Sequence, residues 1–145
     1  MKTKVVWKEN MHFTGMADSG HIVQLDSSEK GGGENLGFRP MEMVAMGVAG
    51  CSSMDVVSIL KKMSVDFNGY EVEVEVTSAK DFPRVFTDMH FTYRVTGHNI
   101  KKEDVEKAVD LSETKYCQGI AMMSKSAKIS HTIEIIEDVG IPCTI

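Results

Sequence analysis

Hydrophobic and polar residues along the 145-residue chain alternate with a period of two in some stretches and recur at helical spacing in others. Short strand-like runs at Lys4 to Trp7, His12 to Met16 and His21 to Leu25 are broken by Glu9-Asn10 and by Asp18-Ser19-Gly20, which predicts a β-meander. Ser27 to Phe38 has no period; its Gly31-Gly32-Gly33 reads as a mobile connection, since the GKS or GKT ending of a phosphate cradle is missing. Pro40 suits the first turn of a helix running to about Met63, and Lys61 and Lys62 place positive charge at its far end. Such a helix would be about 36 Å long. Its middle is apolar on nearly all sides and carries the small residues Ala45, Gly47, Ala49 and Gly50. A helix buried all round needs neighbours on every side. One chain of this length can hardly supply them, so the pattern predicts a homodimer with two such helices crossing at its centre.

Beyond the helix, Glu71 to Val76 alternates strictly, with Val72, Val74 and Val76 on one face and glutamates on the other, as in a half-buried strand. Val85 to Thr96 alternates again and turns Val85, Met89, Phe91, Tyr93 and Val95 inward; Asp81-Phe82-Pro83-Arg84 makes the turn of an antiparallel hairpin. Lys102 to Ser112 puts Val105, Ala108, Val109 and Ser112 at helical spacing, Tyr116 to Ser126 predicts a second short helix, and Lys128 to Ile136 returns to strand. His131 shares the row of Ile129, Ile133 and Ile135 and is read as a satisfied core or interface histidine. The order βββαββααβ defines an α+β fold in one domain, residues 1–145, with helices packed on antiparallel sheet.

Composition narrows the function classes. A net charge of −5, with basic residues spread among acidic ones, offers no concentrated positive field for nucleic acid. The opening MKTKVVWKENMHFTG has no apolar run of signal-peptide length, which makes a cytoplasmic location the expectation. The longest uninterrupted apolar run, Met43 to Gly50, is far short of the roughly 20 residues of a membrane span, so no membrane partner is expected. Three cysteines without CxxC spacing argue against a disulfide framework and against a structural zinc site. No histidine shares a spacing with cysteines or carboxylates that would point to a metal. Cys143, near the C-terminus, reads as incidental.

Chemistry therefore concentrates on Cys51 and Cys117. A buried thiol by itself packs like a small inert hydrophobe. A second thiol at the start of the later helix changes the picture, because backbone N–H groups and the helix dipole favour thiolate there. Cys51 lies too deep in its own helix for that effect. Arg39 sits roughly 18 Å from it along a straight helix, so Arg39 and Glu42 approach a thiol only if two copies of the helix cross antiparallel near Gly47. The thiol oxidation ladder then supplies a reaction: a thiolate at Cys51 attacks a peroxide oxygen, an alcohol leaves, and the sulfenic acid condenses with Cys117 to a disulfide. An external dithiol restores both thiols, and no bound cofactor is expected. Asp55 shares the helix face of Cys51, where an unpaired carboxylate would oppose thiolate, so it is expected to cap or pair elsewhere and is given no catalytic role. Met41, Met43, Met46, Met54, Met122 and Met123 fall in these same segments and are read as adaptable core filling.

Pro40 with small and apolar residues leading to Cys51, a second cysteine opening a late helix at Cys117, and the closing strand KISHTIEI together resemble the OsmC/Ohr family of osmotically inducible and organic hydroperoxide resistance proteins. The resemblance covers most of the chain. It implies an OsmC-like α+β fold, antiparallel sheets packed on long central helices in an intertwined homodimer, and thiol peroxidase activity on organic hydroperoxides in the oxidative stress response. Cys51 matches the peroxidatic cysteine and Cys117 the resolving cysteine. The family's peroxidases place a glutamate directly after the proline; here that position is Met41 and the glutamate is Glu42, a shift that turns the side chain by about 100°. Asp18-Ser19-Gly20-His21 carries no arginine, which leaves Arg39 as the substitute. PMEM followed by GCSSMDVVSILKK looks like a less characterised branch. The competing expectations are a redox-sensing or small-ligand-binding protein without efficient turnover, and a structural dimer whose thiols are core.

Overall fold

The computed structural model describes residues 1–139, so Cys143 lies outside the described residues. The chain divides into two compact units, one ending at Ala45 and one beginning at Met46.

In the first unit the predicted meander is present as β1 (Thr3–Glu9), β2 (His12–Ala17) and β3 (Ile22–Leu25), antiparallel and in that order. Asn10 and Gly20, both at positive φ, make the two turns. The glycine-rich connection is better ordered than its composition predicts. Buried Asp26 accepts backbone N–H groups from Ser27 (2.7 Å), Glu34 (3.1 Å) and Leu36 (3.0 Å), gathering the loop around one carboxylate. Gly37 passes so close to β3 that an added Cβ would collide with the Gln24 carbonyl. The mobile reading of this segment is thereby corrected: a single acceptor-only side chain satisfies three loop donors.

Helix α1 (Pro40–Lys62) begins in the first unit and continues into the second, within a residue of the predicted bounds. The second unit holds β4 (Phe67–Ser78), β5 (Phe86–Gly97), α2 (Lys102–Leu111), a π-helical turn (Ser112–Tyr116), α3 (Gln118–Met123) and β6 (Lys128–Glu137). β4 and β5 form the predicted antiparallel hairpin, but β6 joins the other side of β5 in parallel. A helical crossover is what a parallel pair requires, and the segment from α2 to α3 provides it. Val56 and Leu60 of α1, Met89, Phe91, Tyr93 and Val95 of β5, and Val105, Ala108 and Val109 of α2 are fully buried and form the core. Val85 was expected inward and is exposed, whereas Phe86 is buried. The register shifts between Thr77 and Ser78, and that irregularity exchanges the two side chains.

One stripe of α1, through Val48, Ser52, Val56 and Leu60, is committed to this core. Another is not. Met46, Gly50 and Met54 recur every four positions and are exposed, Met54 at 78%, and neither Gly47 nor Gly50 has anything within 4 Å of where a Cβ would stand. Met41, Met46, Met54 and Met122 are exposed in the single chain, which corrects the core-filler reading for those four. The whole helix, with a mean hydropathy of 1.7 in its most apolar window, is long and apolar enough to cross a membrane, a test that Met43 to Gly50 alone does not meet.

Candidate functional site: two thiols and a carboxylate

Helical periodicity sets the first part of the site. On α1, Cys51 is half-buried and Asp55 follows one turn later on the same face. Ser52, between them, points into the core. Its hydroxyl lies 2.6 Å from the Tyr93 hydroxyl and 3.1 Å from the Ser112 hydroxyl, and Ser112 donates to Asp55 Oδ2 at 3.3 Å. An ionised carboxylate accepts only, so it fixes the direction of the chain: Tyr93 donates to Ser52, Ser52 to Ser112, and Ser112 to Asp55. Burial pushes the Tyr93 phenol upward and keeps its proton in place to start that chain. The expectation that Asp55 would pair elsewhere is half met. It has a partner in Ser112, yet it stays beside the thiols.

The second part comes from the irregular turn after α2. Ser112–Tyr116 winds as a single π-helical turn and leaves Cys117 extended, its N–H donating to the Ser112 carbonyl at 2.8 Å. Cys117 is then the N-cap of α3 and its Sγ accepts from the Ile120 N–H at 3.4 Å. Gly119 lets this turn settle on α1. A Cβ there would stand 3.2 Å from the Val48 Cα and 3.5 Å from the Cys51 Cβ.

Cys51 Sγ, Cys117 Sγ and a carboxylate oxygen of Asp55 consequently lie within 4.8 Å of one another. Both thiols are free. Cys51 is the more accessible; Cys117 is 2% exposed. Burial, with a smaller contribution from the neighbouring Cys51, pushes the Cys117 thiol up to about 11 against the opposing pull of the Ile120 N–H. The expectation of an easily ionised thiol at a helix start is thus corrected: a cap on a six-residue helix does not outweigh loss of water. Asp55 also lines a surface cleft of about 290 Å³ with Ser58, Ile59, Lys62, Leu111 and Tyr116, which neither thiol borders.

Arg39 and Glu42 meet each other in the first unit. The Arg39 N–H donates to Glu42 Oε2 at 2.9 Å, and the guanidinium donates to the Gly37 carbonyl (2.9 Å) and to Asn35 Oδ1 (2.7 Å). Glu42 thus satisfies a backbone donor ahead of α1. Arg39 and Pro40 also border a largely apolar cleft of about 570 Å³ with Val5, Met11, Phe13 and Leu25. The expectation of a satisfied core or interface histidine is met in its pairing but not in its burial: His131 is exposed in the single chain, pairs with Glu113 at 3.0 Å and meets the Tyr93 ring edge-on. Asp55, Ser52, Ser112 and Gly119 were not assigned to the site from sequence. Only Asp55 left a signal, its position four residues after Cys51.

A thiol pair bridging two helices of an α+β fold defines a recognisable class, and the chain belongs to the OsmC family: the family model described as OsmC-like protein matches residues 31–132. Protein YhfA of Escherichia coli strain K12 is 38% identical over 136 residues, covering 94% of this chain and 98% of its own. Among solved structures, the OsmC-like protein from Mycoplasma pneumoniae superposes with a TM-score of 0.79 at 14% identity, covering 93% of this chain and 96% of its own. The organic hydroperoxide resistance protein OhrB of Bacillus subtilis superposes with a TM-score of 0.63 at 17% identity, covering 92% and 98%.

Proposed function

We propose that the chain is a thiol-dependent peroxidase that reduces organic hydroperoxides. The observation that carries this reading is the approach of two free sulfurs, one accessible and one buried, from elements far apart in sequence. Membership of the OsmC family, and a fold shared with the organic hydroperoxide resistance protein OhrB of Bacillus subtilis, support it. The Cys51 thiolate attacks the outer oxygen of the hydroperoxide; the O–O bond breaks, an S–O bond forms, and the alkoxide takes up a proton and leaves as alcohol. The Cys117 thiolate then attacks the Cys51 sulfur, the S–O bond breaks, and hydroxide leaves as water after protonation. An external dithiol reduces the disulfide and is itself oxidised. The elevated Cys117 thiol slows an unaided attack, and closeness to Cys51 compensates for it.

The functional unit in this proposal is a cytoplasmic homodimer in which Arg39 and Glu42 of the other copy polarise the peroxide near Cys51. The test is loss of cumene hydroperoxide with a dithiol reductant. Turnover is expected from the native chain and is expected to fall to the uncatalysed background in both Cys51→Ser and Cys117→Ser. Turnover that survives in Cys51→Ser would sink the reading.

A second reading, a redox sensor with the same thiol pair, is favoured by one observation: the Arg39 guanidinium is engaged by Gly37 and Asn35. Its signature is a Cys51 to Cys117 disulfide formed once by peroxide without catalytic consumption.

A further inference from the structure

We propose that Cys51, Asp55 and Cys117 form a binding site for a thiophilic divalent cation of the zinc type, with one coordination position left open to solvent. Sequence spacing argues against a structural zinc site, because no two of the three cysteines lie close along the chain. The fold overrides the spacing by laying the start of α3 against α1, and three ligand atoms from two elements converge within 4.8 Å. In a tetrahedral zinc site, metal–sulfur bonds of about 2.3 Å and metal–oxygen bonds of about 2.0–2.2 Å set donor-to-donor edges of about 3.3–3.8 Å. The three donors need to close by about 1.5 Å at most to reach those edges, a change that side-chain rotation can supply.

The donor set selects the ion. Two thiolates and one carboxylate suit zinc, cobalt(II) or cadmium, whereas magnesium and calcium take all-oxygen sets. Two donors are held from behind, as metal ligands commonly are. Ile120 N–H donates to the Cys117 sulfur, and Ser112 donates to Asp55 at the end of the buried hydroxyl chain from Tyr93. Asp55 Oδ2 is the oxygen so held, and the other carboxylate oxygen keeps its full acceptor capacity. Cys51 and Asp55 are both partly exposed, and Asp55 opens onto the surface cleft it shares with Lys62 and Tyr116, so the fourth position falls to water.

Cation and disulfide exclude each other, since both commit the same two sulfurs. The site therefore exists only in the reduced protein. Binding does not require peroxide turnover, so failure of one proposal leaves the other standing.

The experiment is anaerobic titration of the reduced full chain with cobalt(II), read by visible ligand-field absorption and the near-ultraviolet thiolate charge-transfer band. One ion per chain with a tetrahedral spectrum, displaced by one equivalent of zinc, is expected. Native protein oxidised beforehand with diamide, which needs no mutation and keeps the fold, is expected to show no band. Cys51→Ser and Cys117→Ser should each lose most of the charge-transfer intensity, and Asp55→Asn should keep it while binding at least about tenfold more weakly, no less than loss of an outer-shell partner costs. Cys143→Ser should titrate like the native chain. A band that persists after diamide, one lost in Cys143→Ser, or an Asp55→Asn titration indistinguishable from native would overturn the three-donor site, as would the absence of any band.

Discussion

Cys117 is subject to two opposing influences, and the balance between them can be measured. Its Sγ accepts the Ile120 N–H, which favours thiolate, but burial dominates and raises the group to about 11. A thiol raised in the folded state binds its proton more tightly there than in the unfolded chain, where it titrates near about 8.5. Its contribution to stability is therefore complete below that value and is lost as pH rises towards about 11. The melting temperature of the reduced protein should decline across this interval, and Cys117→Ala should show a shallower decline. Equal slopes for the two proteins would show that burial does not set the ionisation of this thiol. Residue-scale features were unevenly legible. Cys51 and Cys117 stood out because a thiol on an apolar helix and a thiol at a helix start are local patterns. Asp55 did not, because a carboxylate beside a thiol looks unfavourable until the hydroxyls of Ser112, Ser52 and Tyr93 are seen to support it.

At the scale of elements, α3 meets α1 through a position without a side chain. A valine at Gly119 would force its methyl groups into the Val48 backbone and the Cys51 side chain, with the nearest atoms already 3.2 Å and 3.5 Å from a bare Cβ. Gly119→Val should lift the start of α3, slow peroxide-driven disulfide formation by at least about tenfold, as a misplacement of about 1 Å does in a proximity-dependent step, and leave the β4–β5 hairpin intact. Quenched thiol labelling followed by mass spectrometry reads the rate, and circular dichroism reads the fold. Unchanged kinetics would mean that the approach of the two helices does not depend on this glycine. Element types and most bounds followed from periodicity: α1 was predicted from Pro40 to Met63 and spans Pro40–Lys62, and β1 to β3 lie where the alternation put them. Three element-scale features were not legible. The register shift at Thr77 and Ser78, the π-helical turn at Ser112–Tyr116 and the parallel docking of β6 on β5 depend on neighbours remote in sequence.

For the whole molecule, the unfilled stripe of α1 is the feature that demands an explanation. Met46, Gly50 and Met54 expose an apolar face with two open glycine positions, Gly47 and Gly50, of the kind that lets another backbone come close. Burying a methionine side chain is worth about 1.5–3 kcal/mol, so a second copy crossing here would gain substantially from Met54 alone. Light scattering after size-exclusion chromatography should give a dimer, and Met54→Lys should shift it towards monomer at micromolar concentration. A native monomer would remove the proposed route by which Arg39 and Glu42 reach a thiol. The order of residues determined the element types, the half-buried row on β4, the buried rows on β5 and α2, and the two cysteines worth attention, because each is carried by local spacing and local chemistry. Tertiary packing decided which of those residues became neighbours, turned the Cys117 thiol into a weak acid and brought Asp55 to the sulfurs. Burial and the meeting of α1 with α3 are properties of the folded chain, not of any segment of it.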